Sequence, residues 1–258
     1  MADPARAIDR IDTAPRFTAA DAARLNAAYG NADALALLRA VLIDGIAGRV
    51  ALVSSFGTES AVLLDLVSRV DPATPVLFLD TGKMFPETLA YRDTLVARLG
   101  LTGLRTIAPT PQQVAARDET GLRWSYDPDG CCELRKVVPL ETALAGFDAS
   151  ITGRKGFQAA TRADVPRFEL DKDRLKINPL IDWSKADLEA WFTANDLPRH
   201  PLEAQGYLSI GCAPCTSVVK PGEDPRAGRW RGWDKVECGI HGVATPLPGD
   251  DPANEPVF

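Results

Sequence analysis

The chain has 258 residues, 45% of them hydrophobic and 25% charged, an ordinary composition for a globular protein with a substantial core. Its formal net charge of −6 leaves no basic surplus for a general nucleic-acid or membrane-surface binder, so any anionic ligand must be met by locally gathered Arg and Lys. No apolar run reaches membrane-spanning length and the N-terminus has no hydrophobic signal core, which makes the cytoplasm the expected location.

In chain order, residues 1–18 read as a loose arm. The stretch from Ala19 to about Ile46 is helical, with Leu35, Leu38 and Leu42 at three- and four-residue steps and a break at Gly30-Asn31. The apolar run Val50–Val53 ends in Ser54-Ser55-Phe56-Gly57 and is followed by a helix from Glu59 to Val70. A second run, Val76–Leu79, ends in Asp80-Thr81-Gly82 ahead of a helix over roughly Pro86–Leu99. Further strands are expected at Leu104–Ile107 and Ser150–Thr152. Short apolar strands alternating with helices predict an α/β fold of three layers around a mainly parallel sheet. Ligands bind such sheets beyond the carboxyl ends of the strands, so Ser54–Gly57, Asp80–Gly82 and Gly153-Arg154 should share one rim. No repeat or second compact unit is visible. The expectation is one domain over 1–258, with a core over 19–243 and a mobile tail over 244–258.

The five cysteines divide four plus one. Cys212-Ala-Pro-Cys215 has a spacing that lets two thiolates converge on one metal centre, and Cys131-Cys132 is an adjacent pair whose side chains diverge on a helix. Two such pairs suit a 4Fe-4S cluster as metal ligands better than one small ion. Structural zinc or buried structural cysteines are the alternatives. Cys238 stands apart, near the C-terminus, between Glu237 and Gly239 and after a basic stretch with Arg226, Arg229, Arg231 and Lys235. Positive neighbours favour a thiolate and glycines permit movement, which marks Cys238 as the candidate nucleophile. His241 could assist it, or be a capping or solvated histidine.

The chain resembles the adenylyl-sulfate (APS) and phosphoadenylyl-sulfate (PAPS) reductases from about Val50 to Gly242. The resemblance rests on Leu79-Asp80-Thr81-Gly82, Cys131-Cys132-x-x-Arg135-Lys136, the Gly153–Arg162 loop and Asn178-Pro179-Leu180-x-Asp182-Trp183. It continues through Gly211-Cys212-x-x-Cys215, Arg226-Ala-Gly-Arg229-Trp230 and Glu237-Cys238-Gly239-x-His241. It implies an adenine nucleotide alpha hydrolase-like fold, an iron–sulfur member of the family that prefers adenylyl sulfate, and thioredoxin as reductant, with oligomerisation left open. The implied activity is reduction of adenylyl sulfate to sulfite and AMP through a Cys238 thiosulfonate, in sulfate assimilation. The loop Ser54–Ser60 departs from the Ser-Gly-Ala-Glu-Asp-like loop of many relatives, and the Ser-Gly-Gly-x-Asp-Ser loop of ATP-cleaving cousins is absent, against an ATP pyrophosphatase. Candidate substrate-binding residues are Ser54, Ser55, Phe56, Leu79, Asp80, Lys136, Arg154, Arg162, Arg226 and Arg229, the arginines because a planar fork suits phosphate and sulfate. Each basic residue could instead be a solvated surface cation. The rivals are a reductase for the 3′-phosphorylated nucleotide, an iron–sulfur enzyme that thiolates RNA, and a non-catalytic metal module.

Overall fold

The computed structural model describes residues 16–158, 162, 164–235 and 237–240. His241, the 244–258 tail and most of the N-terminal arm lie outside the described residues. The end of the arm is tied down: Phe17 N–H donates to the Asp173 carbonyl at 3.1 Å, and Arg16 pairs with Asp148 at 3.3 Å.

Two helices, α1 (Ala19–Tyr29) and α2 (Ala34–Leu42), precede β1 (Val50–Ser54). Then α3 (Ser60–Val70), β2 (Val76–Leu79), α4 (Pro86–Leu99), β3 (Leu104–Ile107) and α5 (Pro111–Arg117) follow in strict alternation. Next, α6 (Pro128–Cys132) runs through a π-helical turn, Glu133–Val137, into α7 (Val138–Leu144). The chain continues with β4 (Ala149–Ile151), β5 (Phe168–Asp171), β6 (Arg174–Ile177) and α8 (Lys185–Ala194).

The strands form one sheet in the order β3-β2-β1-β4-β6-β5, parallel throughout except for β5, which runs antiparallel to β6 at the edge. Alternate residues serve opposite faces. Leu52, Val76 and Phe78 join the larger core beneath α1–α4 and α8, while Ala51, Leu77 and Leu79 pack against Leu140 and Leu144 of α7 on the other side. The result is the expected three layers. The chain leaves β1 in one direction through β2 and β3 and returns to its other side at β4. The β1/β4 boundary is therefore the switch point, where an open α/β sheet leaves a crevice.

The β5–β6 hairpin is absent from the sequence-based expectations. Its charged residues are neutralised by ion pairs: Lys176 by Asp171 at 2.9 Å, Arg174 by Glu141 at 2.6 Å, and Glu169 by Arg154. Lys172, at φ 59°, makes the tight turn. No helix among the described residues is long and apolar enough to cross a membrane.

Candidate functional site

A cleft of about 300 Å³ opens at the β1/β4 boundary. After β1 the chain turns at Phe56, which holds φ 50° while its N–H donates to Ser54 Oγ at 3.2 Å. The Phe56 ring is fully buried and meets Phe78 edge-on at 5.4 Å. It therefore anchors the loop in the core and is not among the lining side chains, whereas Ser54, Ser55, Gly57 and Thr58 are. The N-terminus of α3 follows, a place where unpaired N–H groups and the helix dipole favour an anion. From β2, Leu79 lines the cleft; Asp80 does not, and its carboxylate instead accepts from Gly82 N–H at 2.8 Å to shape the turn.

Eight cations line this cleft: Lys136, Arg154, Lys155, Arg162, Lys185, Arg199, Arg226 and Arg229. Their partners sort them. Arg154 is buried, pairs with Glu169 and donates to Asn178 Oδ1 at 3.2 Å. Lys155 pairs with Glu59 at 2.8 Å, and its burial holds its pKa below the ordinary lysine value. Arg162 gives Glu237 Oε1 two bonds, 3.0 Å from Nε and 2.6 Å from Nη2, and Arg226 meets Glu237 Oε2 at 3.3 Å. Lys136 and Arg229 make no ion pair with a carboxylate among the described residues. Arg229 lies over Gly211, where a Cβ would come within 2.2 Å of its guanidinium and displace it.

Cys238 is half-buried and lines the same cleft. The four other cysteines line a second, much smaller cavity together with Trp124, Arg135 and Lys136. Only Lys136 and Cys212 line both, so they form the partition between the two spaces. Cys131, Cys132, Arg135 and Lys136 all reach the small cavity, the first two from α6 and the last two from the π-helical turn. Gly130 lies just before the π-helical turn, and a Cβ there would fall 2.0 Å from the Arg123 guanidinium and 2.1 Å from the Asp127 carboxylate, so a larger residue would displace that ion pair.

Polar groups brace this cavity. Arg135 is held by Asp118 in a buried pair at 2.7 Å and donates to the Thr81 carbonyl at 2.7 Å. Cys212 forms an isolated bridge with Met84, and Cys215 N–H donates to the Cys212 carbonyl at 3.0 Å. Burial pushes the Cys131 and Cys132 thiols up to about 11 and also raises Cys215. Burial opposes ionisation of Cys212 too, but Lys136, the Thr81 hydroxyl and Arg229 outweigh it and lower its pKa. For Lys136, burial disfavours the charge, and Cys212, Cys238 and Cys132 together hold the pKa above the ordinary lysine value.

Among the described residues no three His, Cys, Asp or Glu side chains close around a single metal ion. Four thiols spread around one cavity suit a polynuclear centre, whose ligands stand farther apart than those of one tetrahedral ion. Two buried donors, Trp230 Nε1 and Arg229 Nε, have no acceptor among the described residues, and Trp230 N–H is bonded to the Cys215 carbonyl at 3.0 Å. Unmatched donors beside thiols fit a centre rich in sulfur acceptors.

The structure thus brings Ser54, Ser55, Leu79, Lys136, Arg154, Arg162, Arg226, Arg229 and Cys238 to one cleft, leaves Asp80 and the Phe56 ring outside its wall, and gathers the other four cysteines next door. Sequence reasoning gave no role to Glu59, Lys155, Thr81, Arg135 or Glu237. Arg135 and Glu237 stand in the quoted motifs, and that proximity to cysteine was the available signal.

Residues 49–218 match the family model described as the phosphoadenosine phosphosulfate reductase domain. A Mesorhizobium japonicum protein named adenosine 5′-phosphosulfate reductase is 48% identical over 236 residues, covering 92% of this chain and 93% of that protein. One of the same name from Chelativorans sp. is 50% identical over 230 residues, covering 89% and 92%. The crystal structure of a phosphoadenylyl-sulfate (PAPS) reductase from Candida auris, a phosphate complex, superposes with a TM-score of 0.66 at 28% identity, covering 79% of this chain and 98% of that one. A Candida glabrata FMN adenylyltransferase with FMN and an ATP analogue is alike in fold alone, with a TM-score of 0.52 at 16% identity, covering 80% and 78%. The fold is adenine nucleotide alpha hydrolase-like.

Proposed function

The chain belongs to the phosphoadenosine phosphosulfate reductase family, and from that premise we propose that it reduces adenylyl sulfate to sulfite and AMP, with Cys238 as nucleophile and an external dithiol as reductant. It is an oxidoreductase acting on a sulfur group. The observation that carries the reading is the meeting of the Cys238 thiol, Lys136 and Arg229 in one cleft at the sheet's switch point.

The Cys238 thiolate attacks the sulfur of the activated sulfate. A sulfur–sulfur bond forms, the bond from sulfur to the phosphate oxygen breaks, and AMP leaves with that electron pair. The protein's task is to align thiolate and sulfur and to balance negative charge. Adenylyl sulfate carries one charge on phosphate and one on sulfate, and Lys136 and Arg229, cleft cations without a carboxylate partner among the described residues, are the proposed partners for them. The first dithiol sulfur then attacks Cys238 Sγ and expels sulfite, and the second resolves the mixed disulfide. The two electrons come from the dithiol, which leaves as a disulfide while Cys238 returns as thiolate. Thioredoxin is the proposed dithiol.

Cys131, Cys132, Cys212 and Cys215 would hold a 4Fe-4S cluster. When bound, such a cluster supplies a fixed anionic centre behind Lys136 and ties α6, the π-helical turn and the Cys212–Cys215 turn together. The naming of the relatives and this cysteine set favour adenylyl sulfate over its 3′-phosphorylated form. An RNA-thiolating enzyme is disfavoured by the missing ATP loop and the acidic net charge.

The test is intact-protein mass spectrometry after mixing anaerobic enzyme with adenylyl sulfate and no dithiol. One SO₃ unit should appear on the peptide containing Cys238, and reduced thioredoxin should discharge it with an equal yield of sulfite. No adduct, or an adduct on Cys212 or Cys215, overturns the assignment. Faster adduct formation from the 3′-phosphorylated nucleotide overturns the substrate.

A further inference from the structure

Lys235 stands three residues before Cys238 and is not among the side chains that line the cleft. Only 8% of its side chain is exposed, an unusual burial for a lysine. Its ammonium pairs with Asp129, in the first turn of α6, and lies 5.6 Å from the centre of the Trp230 ring. Trp230 is itself buried, and its N–H donates to the Cys215 carbonyl at 3.0 Å. One side chain therefore joins the catalytic segment to both elements that carry the small cavity's thiols: α6, with Cys131 and Cys132, and the Cys212–Cys215 turn. Its positive charge also favours the Cys132 and Cys215 thiolates.

From this geometry we infer that Lys235 is a positioning residue: held between Asp129 and Trp230, it seats the segment that presents the Cys238 thiol to the cleft. The inference rests on Cys238 being the nucleophile. The segment has two other holds. Glu237 receives Arg162 and Arg226, and Ile240 packs against the smaller core with Leu77, Leu79 and Leu140. Both arginines line the cleft, so a phosphate or sulfate arriving there competes with Glu237 for them. Lys235 lies outside the cleft wall, where no substrate competes, and keeps the segment in place while the hold at Glu237 is exchanged. Asp129 is 68% exposed, so the pair is screened and weak enough to release when a bulky dithiol discharges the thiol.

The experiment follows one thiol by two rates in cluster-loaded enzyme, with Lys235→Met compared with the wild type. Alkylation of Cys238 by iodoacetamide in the resting enzyme, read by peptide mass, should quicken about tenfold as the segment leaves its seat, the combined effect of a cation–π contact and a partly exposed ion pair. Loss of a positive charge alone would slow alkylation by disfavouring thiolate, so a faster reaction reports movement. Sulfonation of Cys238 in a single turnover at saturating adenylyl sulfate, without dithiol, should slow by about the same factor, while AMP affinity stays within about twofold. Asp129→Asn, at an exposed position, should shift both rates in the same directions by about threefold, and Lys235→Arg should recover most of both. The visible spectrum reports that the cluster survives, and should Lys235→Met lose it, Asp129→Asn decides. Unchanged alkylation in a variant that keeps the cluster overturns the inference. So does AMP affinity that falls in step with sulfonation, which would place Lys235 on the nucleotide. If wild-type enzyme forms no adduct, the proposed function falls, and the alkylation rates still decide whether Lys235 holds the segment.

Discussion

The hydroxyl of Thr81 lies 3.2 Å from the sulfur of Cys212, joining the carboxyl end of β2 to the Cys212–Cys215 turn. The Thr81 carbonyl accepts from Arg135, so one residue braces two of the segments that carry the cavity's thiols. Thr81→Val removes the hydroxyl and keeps the backbone contact. The fold should persist, while Cys212 loses a donor that favours its thiolate. Iron release to a chelator should then quicken about tenfold, within the range for groups that support metal ligands. Equal release rates in both proteins would remove Thr81 from the metal site.

Metal content is the next prediction. Anaerobically purified protein should be brown and carry about four irons per chain. Cys215→Ser should lose iron and loosen the 211–216 turn, because buried thiols that burial keeps protonated are committed to the site only by metal. Stoichiometric zinc in a colourless protein would reject the cluster.

The strands β1 and β2 were legible because a strand buried in a parallel sheet is an apolar run with turn residues at its end, and Val50–Val53 and Val76–Leu79 are such runs. The hairpin β5–β6 was not legible. Its charges are satisfied by Asp171 within the hairpin and by Glu141 and Arg154 outside it, and ion pairing of this kind leaves no periodic trace. In the site, the cysteine division and Lys136 were readable because thiols and spacing carry chemistry. That Arg162 and Arg226 meet Glu237, that the Phe56 ring turns inward, and that a π-helical turn follows Cys132 depend on three-dimensional placement.

A pH prediction comes from His200. Leu202 N–H donates to its Nδ1 at 3.2 Å, so the ring proton resides on Nε2, which faces Thr88 Oγ1 at 3.0 Å. Burial pushes the pKa down to about 4, with Glu87 opposing. The unfolded chain, with a histidine pKa near 6.5, binds the extra proton between these values. Stability from neutral His200 is therefore complete above about pH 6.5 and lost as pH falls toward 4, on the order of 3 kcal/mol in all. The Tm of wild-type protein should fall more steeply across this window than that of His200→Gln. Parallel curves would show that His200 does not titrate in this way.

The last prediction separates the two cations assigned to the substrate. Lys136 is buried in the partition, where its charge meets Cys212, Cys238 and Cys132. Lys136→Ala should lower kcat and kcat/KM together by about a hundredfold, the size expected for one preorganised charge at a reacting centre. Iron content must be measured alongside, because Lys136 also favours the Cys212 thiolate. Arg229 reaches the cleft over Gly211, with its guanidinium 4.4 Å from the Trp230 ring. A planar fork fixed by stacking grips an anion in the ground state as well as in the transition state, so Arg229→Ala should act chiefly by raising KM. Arg154→Ala is the contrast. Its pair with Glu169 and its bond to Asn178 make it a brace between β4 and the edge hairpin, so it should lower Tm while leaving KM nearly unchanged. Wild-type kinetics in both Lys136→Ala and Arg229→Ala would show that the substrate's charge is met elsewhere. A large KM effect in Arg154→Ala would put that arginine on the nucleotide.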